Sequence, residues 1–164
     1  MKKIGLILTC LVLCSGCAPR VQTQQTQLQT REFQTRSYET NDVKMVMKAL
    51  LNVLQDDGYI VKNANVDLGL LTATKETDIA AKGVVGFLNA MGGKDARYAK
   101  NSIVECSGNV TEFGKETRVR INFQTKSMNN KGEVMDVKQV GDPVFYQTFF
   151  SKVDKGIFLQ KEKL

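Results

Sequence analysis

The chain reads as an α+β protein. The expected architecture is a mainly antiparallel sheet of four or five strands with helices packed on one face, preceded by a signal peptide and a flexible linker. Three observations predict it. Residues 116–125 alternate polar and apolar side chains with the two-residue period of a half-buried strand. Residues 43–54 place Val43, Val46, Met47, Leu50, Val53 and Leu54 at helical spacing. Residues 2–17 run basic, then apolar, then small, the order of a secretory signal peptide.

The elements follow in chain order. Lys2 and Lys3 open the signal, and Ile4 to Leu13 is its apolar run. That run falls short of the roughly 20 apolar residues a helix needs to cross a bilayer. Ser15-Gly16-Cys17 closes it. This small-small-Cys ending resembles the lipobox of bacterial lipoproteins. One position departs from that family's pattern: Cys14 stands where it carries Leu, Val or Ile. A thiol behaves largely as a small apolar group, so the departure is mild. The resemblance implies cleavage between Gly16 and Cys17, with Cys17 lipidated by a diacylglyceryl thioether and an amide-linked acyl chain such as palmitate. Two or more acyl chains hold a protein stably in a leaflet, where one does not. Ala18, rather than Asp, follows the cysteine. By the family's sorting logic this implies the outer membrane, with the domain on the periplasmic face. An ordinary cleaved signal peptide, or a short buried helix of a cytosolic protein, is the alternative reading.

Residues 18–30, APRVQTQQTQLQT, are rich in Gln and Thr and nearly devoid of apolar side chains. Such a segment buries too little surface to fold alone, and it reads as a tether. About 14 flexible residues average ~20 Å end to end and reach at most ~50 Å. An alternating Thr/Gln strand that pairs with a partner is the other reading. The expected organisation is therefore signal peptide 1–16, lipidated cysteine and tether 17–30, and a single α+β domain 31–164.

Within the domain, Arg31 to Glu39 reads as a first strand. The helix over Val43 to Leu54 follows, capped by Thr40 or Asn41 and stopped at Gly58. Tyr59 to Val66 and Leu70 to Lys75 form a hairpin around Asp67-Leu68-Gly69. This helix-and-hairpin unit, about Thr40 to Lys75, resembles the small α+β domains of periplasmic lipoproteins, including the helix-grip domains of the outer-membrane assembly lipoprotein BamC. Residues 78–93, DIAAKGVVGFLNAMGG, admit three readings: a packed helix weakened by Gly83 and Gly86, a loop, or a segment touching a membrane or partner through Val84 and Phe87. Ser102 to Val110 and Glu116 to Thr125 are strands. The second points Val119, Ile121 and Phe123 inward and Arg118, Arg120, Asn122 and Gln124 outward. Residues 128–141 read as a polar loop. Asp142-Pro143 then starts a core helix bearing Val144, Phe145, Phe149, Val153, Ile157 and Phe158, with Tyr146 and Phe150 beside them; a helix that leaves aromatic surface for a partner protein is the alternative.

Composition bounds the function. The chain has 23 basic and 17 acidic residues. Loss of Lys2 and Lys3 with the signal leaves 21 against 17, a mild +4. No dense basic block with interleaved aromatics is present, so nucleic acid is not an expected partner. Of the four cysteines, Cys10 and Cys14 leave with the signal and Cys17 is acylated, which leaves Cys106 without an internal disulfide partner. Histidine is absent, and with it the commonest general base and metal ligand. Asp56-Asp57 is a solvated helix end, and the glycines at 83, 86, 92 and 93 form no phosphate-binding loop. No catalytic residue, metal site or cofactor is expected. Arg118 and Arg120 share one side of a strand, where they form either an exposed polar face or a site for an anionic group.

The expected function is accordingly that of a non-enzymatic structural, assembly or accessory lipoprotein of an envelope complex, for instance a secretion or conjugation machine. Its candidate partner surface comprises Arg118, Arg120, Val84 and Phe87. The alternative is a lipid- or glycan-binding lipoprotein with a small-ligand cavity between helices and sheet.

Overall fold

The sheet is organised around one long strand that two different partners flank on the same side. The computed structural model describes residues 26–78 and 99–162. In chain order the elements are α1 (Gln27–Phe33), β1 (Thr35–Tyr38), α2 (Val43–Asp56), β2 (Ile60–Asn65), β3 (Leu70–Asp78), β4 (Ala99–Phe113), β5 (Glu116–Asn129), β6 (Val134–Gln139) and α3 (Pro143–Lys161). The strand order is β1-β5-β4-β3-β2, with β6 also on β5. Every pairing is antiparallel. β4 lines β5 along its whole length, so β1 and β6 share the opposite edge. The fold is α+β, as its alternating strands and amphipathic helices predict, with six strands rather than four or five.

Period-two alternation decides what lies under the helices. Val119, Ile121 and Phe123 of β5, Cys106 and Val110 of β4, and Leu71 and Ala73 of β3 are buried on one face. Val46, Met47, Leu50, Val53 and Leu54 of α2 and Tyr146, Phe149, Phe150, Val153 and Ile157 of α3 complete the same core. Burying one such large side chain stabilises the fold by roughly 1.5–3 kcal/mol. The two helices approach closely where Gly156 of α3 meets Ala49 of α2. Phe123 is the hub of the aromatic packing, with the Tyr59, Phe145, Tyr146 and Phe149 rings at 5.0 to 5.8 Å.

Local signals set the element ends. The Asp42 carboxylate caps α2 by accepting the Met45 N–H at 2.8 Å, so the cap lies after Thr40 and Asn41. Asp142 caps α3 through the Val144 N–H, with Pro143 at the first turn. Gly69 turns the β2–β3 hairpin at φ +63 and lies directly on β4. Its carbonyl accepts the Val110 N–H at 2.7 Å, and a Cβ there would fall 1.9 Å from the Val110 oxygen.

Three further expectations are corrected. Arg31 to Glu39 is not one strand: Gln27–Phe33 is helical and β1 begins at Thr35. Thr26 and Gln29 form a reciprocal capping box, which supplies partners for otherwise orphaned amides and starts the helix inside the Gln/Thr-rich run. Residues 128–141 are not all loop. β5 continues to Asn129 and Val134–Gln139 forms β6, held by its ladder to β5 and not by burial, since all six residues are exposed. The α3 face is rotated from the expected one: Val144 and Phe158 are exposed, and Tyr146 and Phe150 are buried in their stead. Residues 79–93 of the three-way reading fall outside the described residues. Among the described residues no helix is long and apolar enough to cross a membrane.

Candidate functional site

The alternation that sends Val119, Ile121 and Phe123 under the helices sends Arg118, Arg120, Asn122 and Gln124 to the opposite face of the sheet. Neither long helix covers that face, because both pack on the other one. Its side chains are held instead by polar contacts across strands. Gln124 donates to Glu105 Oε2 at 2.6 Å, and Lys126 Nζ reaches Glu105 Oε1 at 2.7 Å. The Lys126 and Gln124 hydrogen bonds hold the Glu105 carboxyl below the usual range. Asn122 Oδ1 accepts from Gln139 at 2.9 Å and from Gln34 at 3.2 Å.

The two arginines singled out in the sequence do share this face, with unlike surroundings. The Arg118 guanidinium sits 4.3 Å from the centroid of the exposed Phe113 ring, a cation–π contact. Arg120 makes no ion pair among the described residues. It lines a shallow polar cleft of about 340 Å³ with Arg31, Gln27, Thr30, Gln34 and Gln139. Guanidinium groups recognise carboxylate and phosphate oxygens through paired N–H donors, so Arg120 and Arg31 suit an anionic group. Val84, Phe87, Gly16 and Cys17 lie outside the described residues.

Sequence reasoning missed the residue that ties this face together. Gln34 is 1% exposed. Its side-chain amide donates to Tyr146 Oη at 3.1 Å, and its carbonyl accepts the Ile121 N–H at 2.9 Å. Tyr146 Oη in turn accepts the Phe123 N–H at 3.2 Å. One buried glutamine thus links α1, β5 and α3, and it fills the gap that β1 and β6 leave along β5. The only sequence signal nearby is the Thr26–Gln29 capping box, which marks the helix without marking Gln34.

A second concavity, of about 430 Å³, opens between the first turns of α3 and the sheet. Tyr59, Phe123, Phe145 and Phe149 form its apolar wall, with Lys75 and Lys152 at its rim. Both ammonium groups turn to Asp57: Lys75 Nζ donates to its carbonyl at 2.7 Å, and Lys152 reaches its carboxylate. Burial pushes the Tyr59 hydroxyl up to about 12. Cys106 lies in the core, and burial pushes its thiol up to about 12 as well, so it is protonated near neutral pH. Among the described residues no three His, Cys, Asp or Glu side chains are grouped to hold a metal ion.

No protein-family model matches the chain. No curated protein matches it either. Two crystal structures resemble it in part. A TBP-like protein from Parabacteroides distasonis is 11% identical, covers 75% of this chain and 90% of its own, and superposes with a TM-score of 0.38. A DUF4468 family protein from Bacteroides ovatus is 10% identical, covers 75% of this chain and 84% of its own, and gives a TM-score of 0.39.

Proposed function

We propose that the chain is a lipid-anchored lipoprotein of the outer membrane. It acts in the periplasm without catalysis, as an accessory of an envelope complex. The observation that carries this reading is the run from Lys2 to Cys17, whose basic, apolar and small-small-Cys segments match a lipoprotein signal. Residues 18–26 lie between Cys17 and the first described helix at Gln27. Arg118 and Arg120 on the uncovered sheet face support a partner protein that presents carboxylates. Replacing Cys17→Ala tests the anchor: the protein should leave the outer-membrane fraction and accumulate unprocessed or soluble. Unchanged fractionation defeats the reading. Crosslinking in intact envelopes tests the partner: a stoichiometric protein should be captured, and Arg118→Glu with Arg120→Glu should release it.

The aromatic-walled cleft favours a second reading, a lipid- or glycan-binding lipoprotein. Its volume lies within the range of small-molecule sites. Native mass spectrometry of the envelope-extracted protein separates the two. A co-purifying lipid or glycan, with no crosslinked protein, supports the second and removes the first.

A further inference from the structure

The outer edge of β6 is paired by no described strand. On one side β6 is laddered to β5. The Val140 N–H donates to the Phe123 carbonyl at 2.8 Å, which fixes the alternation along the strand. Counting back by two, Lys138 and Asp136 turn their backbone groups toward Thr125 and Ser127 of β5. Val137 and Gln139 therefore turn theirs away from β5, to an edge that no described strand occupies. Val137 also exposes its side chain, at 49%.

The charges on this edge are arranged about Val137. Asp136 and Lys138 flank it, and both point to the same face, where they form an ion pair at 2.8 Å. Suppose a second β6 runs antiparallel with Val137 opposite its own copy. Each Asp136 then faces the other copy's Lys138, and each Lys138 the other copy's Asp136. Centring instead on Asp136 or on Lys138 sets like charges face to face. The Val137 pair then exchanges both of its hydrogen bonds, each Val137 amide leaving the Asp136 carboxylate that it faces in the single chain. The Asp136–Lys138 pairs then fall at the non-hydrogen-bonded positions, where opposed side chains are closest. The other edge of the sheet lacks this property. β2 carries Lys62 and no carboxylate, and a register irregularity between Val61 and Asn63 breaks its ladder to β3.

We infer that β6 is a homotypic contact, in which two copies of this chain join antiparallel across Val137 to extend the sheet through a two-fold axis. The contact is a single strand wide, smaller than a stable dimer interface, so it forms and dissolves with local concentration.

Oxidative crosslinking of the full chain in membranes tests this. In Val137→Cys the two introduced thiols meet at the axis, at a Cα separation of about 5.5 Å that a disulfide spans. Mild copper–phenanthroline oxidation should give a covalent dimer on a non-reducing gel. Ile60→Cys, on the exposed β2 edge, should not. Adding Asp136→Lys to Val137→Cys sets like charges across the axis and should cut the dimer yield about five- to tenfold. The swap Asp136→Lys with Lys138→Asp should restore it. The proposal fails if Val137→Cys gives no more dimer than Ile60→Cys, or if its yield ignores the charge reversal and the swap.

Discussion

The two faces of the sheet are made from the same strands and obey different rules. On the covered face, Phe123, Ile121 and Val119 are chosen by volume and packed among the α2 and α3 side chains. On the uncovered face, Gln124, Asn122 and Arg120 alternate with them and are positioned by charge and hydrogen bonding. A step of one residue along β5 therefore passes from a position that sets stability to one free to meet a partner. The two properties are separable by parity alone.

High pH should break the covered face first and most completely. Cys106 rises from 9.0 to about 12 in the fold and Tyr59 from 10.0 to about 12, both through burial. The folded state holds these protons more tightly than the unfolded chain. Their stabilisation is therefore whole below pH 9 and is lost as pH climbs toward 12. Denaturant midpoints measured from pH 8 to 12 should fall across that window. Cys106→Ala should delay the onset to about pH 10, where Tyr59 begins to titrate in the unfolded chain.

Phe123→Ala comes next. It removes the ring around which four others pack and should cost about 3–5 kcal/mol in chemical denaturation. A loss under 1 kcal/mol would mean that the cluster is not the centre of the core. Gly69→Ala should cost about 2 kcal/mol, because an L side chain at φ +63 is strained and its Cβ meets the Val110 oxygen. Gln34→Ala leaves the Tyr146 hydroxyl short of a partner and should cost about 1–3 kcal/mol. Its signature in hydrogen exchange should be local, with α1 amides losing protection while β4 keeps its own. Arg120→Ala, on the uncovered face, should change stability by less than about 0.5 kcal/mol while weakening partner capture. A larger loss would erase the distinction between the faces.

How well each region reads in the sequence follows the same division. β5 is legible because one side is buried, which stamps apolar residues at every second position. The buried face of α2 is legible for the same reason, with only Ala49 added and Val43 half-buried. β6 leaves no such stamp: its six residues are all exposed, and the backbone ladder to β5 is indifferent to side chains. α1 buries none of its seven residues, so its low-complexity composition conceals it, although Thr26 and Gln29 carry the spacing of a capping box. Of the candidate site, the shared face of Arg118 and Arg120 follows from parity. The Gln34 network does not, because it joins residues far apart in the chain, and the Phe113–Arg118 contact does not, because β4 runs past Val110 to Phe113 in the hairpin with β5.

The place where the chain enters the sheet has a mechanical meaning. A pull arriving from the residues before Thr26 meets α1 first, a seven-residue helix with no buried side chain, pinned by Gln34 and by the Phe33 ring on Tyr146. It meets β1 next, whose four residues peel from the margin of β5 one pair at a time. The long β4–β5 ladder lies behind both. Releasing α1 and β1 pays out about 40 Å of chain and breaks the Phe33, Gln34 and Arg36 contacts to α3. A load from that end would draw on α1 and β1 before it reached the β4–β5 ladder.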